Sequence, residues 1–508
     1  MLSKITGYGL DGLEGFPIHV EVDYAKGLPS FELVGLPDTA VKESKERVRA
    51  AIVNSGKRFV SARIVVNLAP ADVKKEGASL DLAVALGYLA ASEQAVFPPL
   101  DDFIFLGELS LDGGVRKVQG ILPMLISAVK AGYRKFVIPQ GNRAEACYIR
   151  EAEVYAVSSL SEAVEFLTGV SPLAAVEKRS FADAVKETVY QADLKYVKGQ
   201  AVAKRALEVA VSGGHNLLLV GPPGTGKTML AKCIPTIMPD LTFEEALACT
   251  EIHSVMGMLP AGEGILTKRP FRSPHHTATR IALTGGGTHI RPGEISLAHN
   301  GVLFLDEMPE YSRATLESLR QPLEDGVITI SRATGNVTYP ANVMLVGSMN
   351  PCPCGNFGSH DKICTCTPSQ IQKYRSRISG PLLDRVDLQV QVDSVKYSEL
   401  ASEEEGECSA IVRARVNRAR AIQAERFRED PIMTNSEMGE KQIAKYCPLT
   451  KECEEILKEA YSSLNLSARA RSRIIKVART IADIALSEQI LPAHVLEAIG
   501  YRSAELDL

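Results

Sequence analysis

The chain has 508 residues, 45% of them apolar and 23% charged, with a formal net charge of −4. The composition is that of ordinary globular proteins, and the length is too great for one core, so about two to four domains are expected. The charge excludes a global attraction to nucleic acid, so any such binding must use local basic patches or a central channel. No apolar run reaches membrane-spanning length, and Met1-Leu2-Ser3-Lys4 is not followed by a signal-peptide core, which leads to the expectation of a cytoplasmic protein without a membrane partner. Ten cysteines in a reducing compartment are not expected to form a disulfide framework, so their clustering carries the information.

From Phe16 the chain alternates, with Ile18, Val20 and Val22 on one face and His19, Glu21 and Asp23 on the other, the pattern of a half-buried strand. Phe31 to Val34 continues it. Asp38 is placed to cap a helix from Thr39 to about Ser55, closed by Gly56. Ile64-Val65-Val66 predicts a strand, Ser79 to Ala90 a helix, and Phe103 to Leu106 a strand. Leu122 to Ala131 predicts a helix and Phe136-Val137-Ile138 a strand. The outcome is an α+β unit ending near Gly169, assigned to residues 1–170. Ser171 to Lys195 mixes charge with small residues and reads as a linker (171–196) with an entry helix.

Within this unit, Glu76-Gly77-Ala78-Ser79-Leu80-Asp81 and Gly107-Glu108-Leu109-Ser110-Leu111-Asp112-Gly113 resemble the Lon-protease-like domain (ribosomal S5 domain 2-like) of magnesium-chelatase-like ATPases. The resemblance sets Ser79 where that fold's proteases keep their nucleophile, but Leu122 stands in place of their catalytic lysine. A serine needs a neighbouring base to become a nucleophile. Ser79 is therefore expected to start a helix, and the domain to act as a scaffold or substrate-binding ring.

Lys198-Gly199-Gln200 precedes a predicted helix, Ala201 to Ser212, and Leu217 to Val220 predicts a buried strand. That strand runs into Gly221-Pro222-Pro223-Gly224-Thr225-Gly226-Lys227-Thr228, followed by a helix start at Met229. Strand, glycine-rich loop and helix in this order make a P-loop. Glycines let backbone N–H groups converge on phosphates, and the helix N-terminus adds its positive dipole end. Lys227 is expected to reach the β- and γ-phosphates of ATP, and the Thr228 hydroxyl to ligate Mg²⁺. Downstream, Gly301 to Leu305 predicts a second apolar strand ending in Asp306-Glu307. Asp306 is expected to hold Mg²⁺, directly or through water, and Glu307 to orient and deprotonate the attacking water.

Between these segments, Arg272-Ser273-Pro274-His275-His276-Thr277 through Gly285-Gly286-Gly287 is polar and glycine-rich and predicts a loop or hairpin. No carboxylate partner for His275 or His276 is discernible in the sequence. Val327 to Ser331 and Val337 to Tyr339 predict a hairpin around Arg332-Ala333-Thr334-Gly335. Val343 to Met349 predicts a buried strand ending at Asn350, and Leu388 to Val392 an alternating strand after Arg385-Val386-Asp387. From Lys396 onward the chain is helical, with Arg413, Arg415, Arg418 and Arg420 read as a solvated face.

Cys352-Pro353-Cys354 and Cys364-Thr365-Cys366 place four thiols in one loop, residues 350–367. Four sulfur ligands suit tetrahedral Zn²⁺, and a site closed by four protein ligands is structural. The spacing departs from C-x₂-C, His360 is an alternative ligand, and several free cysteines in a loop is the other reading.

Taken together, these residues resemble the YifB/ComM group of magnesium-chelatase-like AAA+ proteins over nearly the whole length. The runs Gly293-Glu294-Ile295-Ser296-Leu297-Ala298-His299-Asn300-Gly301 and Arg375-Ser376-Arg377-Ile378-Ser379-Gly380 are the most specific to it. The resemblance implies an α/β AAA+ core over 197–395, with a helix-2 insert and pre-sensor hairpin shared with MCM replicative helicases, and a C-terminal helical lid over 396–508. It implies an adenine-side role for Gln200, a sensor-1 role for Asn350, an arginine finger acting in trans at Arg385, and a sensor-2 role for Arg469, with Arg471 and Arg473 as near alternatives. A finger in trans requires an oligomer; the resemblance implies a homohexameric ring, with the two inserted loops facing its pore. Arg332 would there pair a DNA phosphate; a solvated turn arginine is the other reading.

The activity implied is an ATP-driven DNA motor. It would promote branch migration on single-stranded or branched DNA in natural transformation, alongside recombination proteins. Two other readings stay open: a chelatase-like motor that remodels a protein partner, and an ATP-dependent peptidase, against which Leu122 argues.

Overall fold

The computed structural model describes residues 1–508 apart from 26, 61, 187–189, 261, 288–289, 333–334, 359–361, 396–404, 464–466 and 503–508. The chain is a mixed α/β protein of two compact units, Met1–Glu187 with Phe243–Thr267, and Thr188–Thr242 with Lys268–Leu508. Among the described residues no helix is long and apolar enough to cross a membrane. All ten cysteines are free of disulfides.

In the first unit, strands Leu2–Asp11, Glu14–Ala25, Arg63–Ala69 and Ser30–Val34 lie in that order in one sheet. The first three pair antiparallel, and Ser30–Val34 joins Arg63–Ala69 in parallel. The alternation from Phe16 has its physical counterpart: Ile18, Val20 and Val22 are buried, while the residues between them are not. Asp38 caps the Thr39–Asn54 helix by accepting a hydrogen bond from the Val41 amide at 2.7 Å. Strands Phe103–Phe105, Lys135–Pro139 and Glu153–Val157 form a second, parallel sheet. The Asp81–Ala91 helix is buried on almost every side because it lies within the core of this unit. Asp81 is held there by Arg47, with bonds of 2.7 and 3.2 Å.

Phe243–Thr267 falls inside the span assigned from sequence to the ATPase core, yet it packs with the first unit. Its Phe243–Val255 helix contacts the Ile121–Lys130 helix. Ser254 accounts for the attachment. Its carbonyl accepts the Gly120 amide at 2.9 Å, and its hydroxyl donates to Glu145 at 2.6 Å.

The second unit is built on five parallel strands in the order Phe271–Arg272, Val302–Leu305, Met344–Met349, Leu217–Val220 and Leu388–Gln391. The three central strands are buried at every residue, the pattern of a parallel sheet covered on both faces. On one face Leu217, Leu219, Phe304 and Val346 share a core with Val416, Ile474, Val477 and Ile481 of the C-terminal helices. On the other, Leu218, Leu303, Leu305 and Leu345 pack with Ile295, Leu316, Ile378 and Leu382. Fully buried His215 ties this sheet to the C-terminal helices, bonding Asp387 at 3.0 Å and Thr480 at 2.8 Å.

The insert expected as a loop or hairpin instead holds the edge strand Phe271–Arg272 and a short helix, Arg280–Thr284, capped by Thr279. Val327–Arg332 and Gly335–Pro340 form an antiparallel hairpin. Its tip, Ala333 and Thr334, and the beginning of the predicted helical tail at Lys396 lie outside the described residues.

Candidate active site

Three parallel strands end at one edge of the sheet, and that shared direction assembles the site. Ligands in such sheets bind beyond the carboxyl ends of the strands. Val220 pairs with Met349, so Gly221 and Asn350 leave the sheet side by side. Leu305 pairs with Gly347, so Asp306 emerges beside Ser348.

The Gly221–Thr228 loop turns through Gly224 and Gly226, whose φ angles of +82° and +88° suit glycine alone among common residues. A side chain at either would point into open space, so the positive φ rather than crowding is what calls for glycine here. Thr225 Oγ1 donates to Pro222 O at 3.0 Å, and Gln200 Nε2 reaches Thr225 O at 3.3 Å. The Lys227–Ile237 helix begins without a side-chain cap, leaving its positive end to the loop. Lys227 folds back, with Nζ donating to Gly221 O at 2.6 Å, Pro222 O at 2.8 Å and Asn350 Oδ1 at 3.3 Å. Thr228 Oγ1 donates to Asp306 Oδ2 at 2.8 Å. Lys227, Thr228, Asp306 and Asn350 are thus brought together from three strand ends.

Glu307 follows with a φ of +50°, a conformation unusual for a residue with a side chain. Its amide is held by Ser348 Oγ at 3.2 Å and by Asp306 Oδ1 at 3.1 Å, while Ser348 also donates to Asp306. Its side chain is exposed beside the loop. Ser348 was missed in the sequence because a serine inside an apolar strand carries no local signal.

The fold sets a carboxylate near the histidine pair that the sequence does not reveal. His276 Nδ1 lies 3.8 Å from Glu307 Oε2. The His275 ring is 4.1 Å from the His276 ring, the Tyr311 ring stands edge-on to it at 6.5 Å, and the Tyr311 hydroxyl donates to Pro274 O at 2.5 Å. This arrangement sets an imidazole beside the Glu307 carboxylate. Replacing His276 by alanine is expected to lower ATP turnover between a few-fold and about 100-fold through misplacement of Glu307, with nucleotide affinity unchanged. Steady-state turnover beside a binding titration checks it; wild-type turnover would remove His276 from any positioning role.

The predicted arginines lie elsewhere. Arg385 donates to Pro381 O at 2.8 Å and pairs with Glu324, so its side chain is held outside the phosphate loop of its own chain. Asn216 fixes its backbone, donating to Arg385 O at 2.8 Å while accepting the Leu345 amide at 2.7 Å. Arg469 sits 3.6 Å from Asp384, and Arg473 approaches Asp384 at 3.8 Å and Asp387 at 3.6 Å. Arg332 ends its hairpin strand opposite Gly335; its side chain lies outside the described residues. Arg413 and Arg415 are not free on a solvated face: they pair with Asp240 at 3.2 Å and with Glu208 and Glu407. Arg420 donates to Val211 O at 2.9 Å.

Burial of the Lys227 ammonium pulls its pKa down to about 8, against the opposing pull of Asp306 and Glu307. Below that value the ammonium is charged and ready for phosphate; above it, binding must take up a proton. Nucleotide affinity is therefore expected to fall about tenfold from about pH 7 to about pH 9. Titration with a fluorescent ADP analogue across that range measures it. A flat profile would show Lys227 charged throughout.

The sulfur atoms of Cys352, Cys354, Cys364 and Cys366 lie within 4.8 Å of one another, three of the pairs at 3.4, 3.7 and 3.6 Å. An ion about 2.3 Å from each sulfur of a tetrahedron holds neighbouring sulfurs about 3.8 Å apart, so the donor set fits Zn²⁺. The alternative ligand His360 lies outside the described residues. The residues of the strand-end site likewise fit a Mg²⁺–nucleotide. The Thr228 hydroxyl and Asp306 carboxylate are converging hard oxygen donors at the end of the phosphate loop.

A parallel sheet that delivers a glycine-rich loop, a lysine and an acid pair to one edge defines the P-loop class of nucleotide-binding fold. Residues 193–400 match the family model described as magnesium chelatase, subunit ChlI. Residues 20–142 match subunit ChlI of Mg-chelatase, and residues 406–502 match the ChlI C-terminal model. The chain is 43% identical to protein YifB of Salmonella typhimurium and 44% identical to YifB of Escherichia coli, over 97% of this chain and 96% of each relative. It is 43% identical to competence protein ComM of Haemophilus influenzae, over 97% of this chain and 96% of that protein. The chain belongs to the YifB/ComM family of magnesium-chelatase-like AAA+ proteins.

Proposed function

We propose that this protein is a cytoplasmic, ATP-hydrolysing AAA+ motor that works on DNA as a homohexamer. The observation that carries the ATPase is the convergence of Lys227, Thr228, Asp306, Glu307 and Asn350 at adjacent strand ends. Mg²⁺ bound with ATP neutralises charge on the phosphates and orients them. Lys227 holds the β- and γ-phosphates, Thr228 and Asp306 supply oxygen donors, and Asn350 fixes Lys227 and the attacking water. Glu307 accepts the proton of that water, and Arg385 serves the site of a neighbouring subunit. Arg469, or Arg473 one helical turn on, reads the nucleotide from the lid.

DNA as the substrate is supported by similarity to a competence protein over 97% of this chain and by the hairpin whose first strand ends at Arg332. The finer reading is branch migration of single-stranded or branched DNA during recombination in natural transformation, in company with recombination proteins. The first unit is a Lon-like scaffold without peptidase activity. Leu122 is buried in its helix, and among the described residues no base hydrogen-bonds Ser79. The four-cysteine loop holds a structural Zn²⁺. The similarity to ChlI supports a second reading, a motor that remodels a protein partner.

ATP turnover measured without DNA and with single-stranded, duplex and forked DNA, over a range of salt, separates the two. Stimulation that fades as salt rises is the expected result for a motor gripping phosphates. A rate unchanged by every DNA would put the partner-remodelling reading ahead.

A further inference from the structure

The cysteine loop lies against the phosphate-binding loop, and we propose that a zinc ion held by Cys352, Cys354, Cys364 and Cys366 braces that loop, coupling zinc occupancy to nucleotide occupancy. The inference rests on the zinc reading above and goes beyond a purely structural role for the ion.

Two connections run from the thiols to the nucleotide loop. Gly355, in the turn between Cys354 and the rest of the loop, has a φ of +81° and packs so closely that a methyl group on it would lie 2.6 Å from Pro223 Cδ. Pro223 is the third residue of the phosphate-binding loop. Upstream, Cys352 follows Asn350 and Pro351 directly, and Asn350 Oδ1 is 3.3 Å from Lys227 Nζ. A further set of contacts anchors the loop to its own unit. Arg375 Nε donates to Pro351 O at 3.1 Å, and its guanidinium lies 5.2 Å from the centre of the Phe357 ring. The Phe357 amide in turn donates to Cys352 Sγ at 3.4 Å.

Four sulfurs at this spacing need a cation between them once they ionise, because neighbouring thiolates repel. Removing the ion therefore lets the sulfurs separate, which withdraws Gly355 from Pro223 and loosens the segment that carries Asn350. The nucleotide loop then loses its outer wall and one partner of Lys227. The converse must also hold, since coupling between two bound ligands is reciprocal.

The test uses the full-length protein purified without chelator. Elemental analysis is expected to give about one zinc per chain, and a Cys364→Ser variant none. Wild-type protein with no bound zinc would overturn the metal reading itself. With zinc present, its affinity is measured by competition against a chromogenic chelator, with and without saturating ADP, and ADP affinity is measured before and after zinc removal. Both are expected to change by the same factor, at least about fivefold. Unchanged affinities in a protein that does bind zinc would overturn the brace and leave the metal site standing. Pro223→Ala leaves all four thiols and the Gly355 backbone as they are while removing the ring that Gly355 packs against, so it is expected to retain zinc and to lose the effect of ADP on zinc affinity. If zinc removal unfolds the chain by circular dichroism, the competition in the folded zinc-bound protein still decides.

Discussion

Replacing Glu307 by glutamine is expected to leave ATP binding intact and to cut turnover by about 10²- to 10⁴-fold. The substitution preserves shape and removes only the ability to accept a proton. The backbone there should not shift, because the Glu307 amide is held by Ser348 and Asp306 rather than by its own side chain. The partners of Lys227 and Thr228 are likewise untouched, since neither bonds Glu307. Binding of a fluorescent ATP analogue and steady-state phosphate release measure the two quantities separately. Turnover close to wild type would transfer the proton-accepting role to another group. Loss of binding would mean that Glu307 shapes the pocket rather than the reaction.

Arg385→Ala is expected to lower turnover by about 10³- to 10⁵-fold, the range of an arginine that stabilises charge on a transferring phosphoryl group. Within its own chain, Arg385 is engaged with Glu324 and Pro381 O. An effect of that size is therefore expected to arise at a neighbouring subunit's site. Mixing Arg385→Ala with Lys227→Ala makes the argument sharp. Each variant alone lacks either finger or pocket, but mixed rings juxtapose an intact finger and an intact pocket at some interfaces. Partial recovery of turnover is the expected outcome, with mixed assembly verified by mass photometry. Verified mixed rings without recovery would assign Arg385 to a role inside its own subunit.

How much of this was legible beforehand depended on how far apart the cooperating residues lie. The phosphate loop is contiguous, and its glycines, lysine and threonine announce their conformation through local backbone rules. Asp306 and Glu307 were recognisable because they follow directly on one apolar strand. Asp38 as a helix cap needed only its neighbour Val41. In contrast, Ser348 is invisible until Met344–Met349 is set beside Val302–Leu305, because only the sheet register brings it to Asp306. His276 needed the insert to fold back over the strand end. Arg413 and Arg415 read as solvent-facing because their acidic partners come from other helices and loops.

The apolar strands, the phosphate loop, the acid pair and the clustering of four cysteines can all be read along the chain. All of these follow from side-chain periodicity or from spacing within a few residues. Which strands are neighbours and that they run parallel, that Phe243–Thr267 leaves its sequence context to pack with the first unit, and that Gly355 rests on Pro223 are visible in the folded chain alone. The physical reason is that strand order and long-range packing are settled by burial summed over the whole unit. No short stretch of chain records that sum.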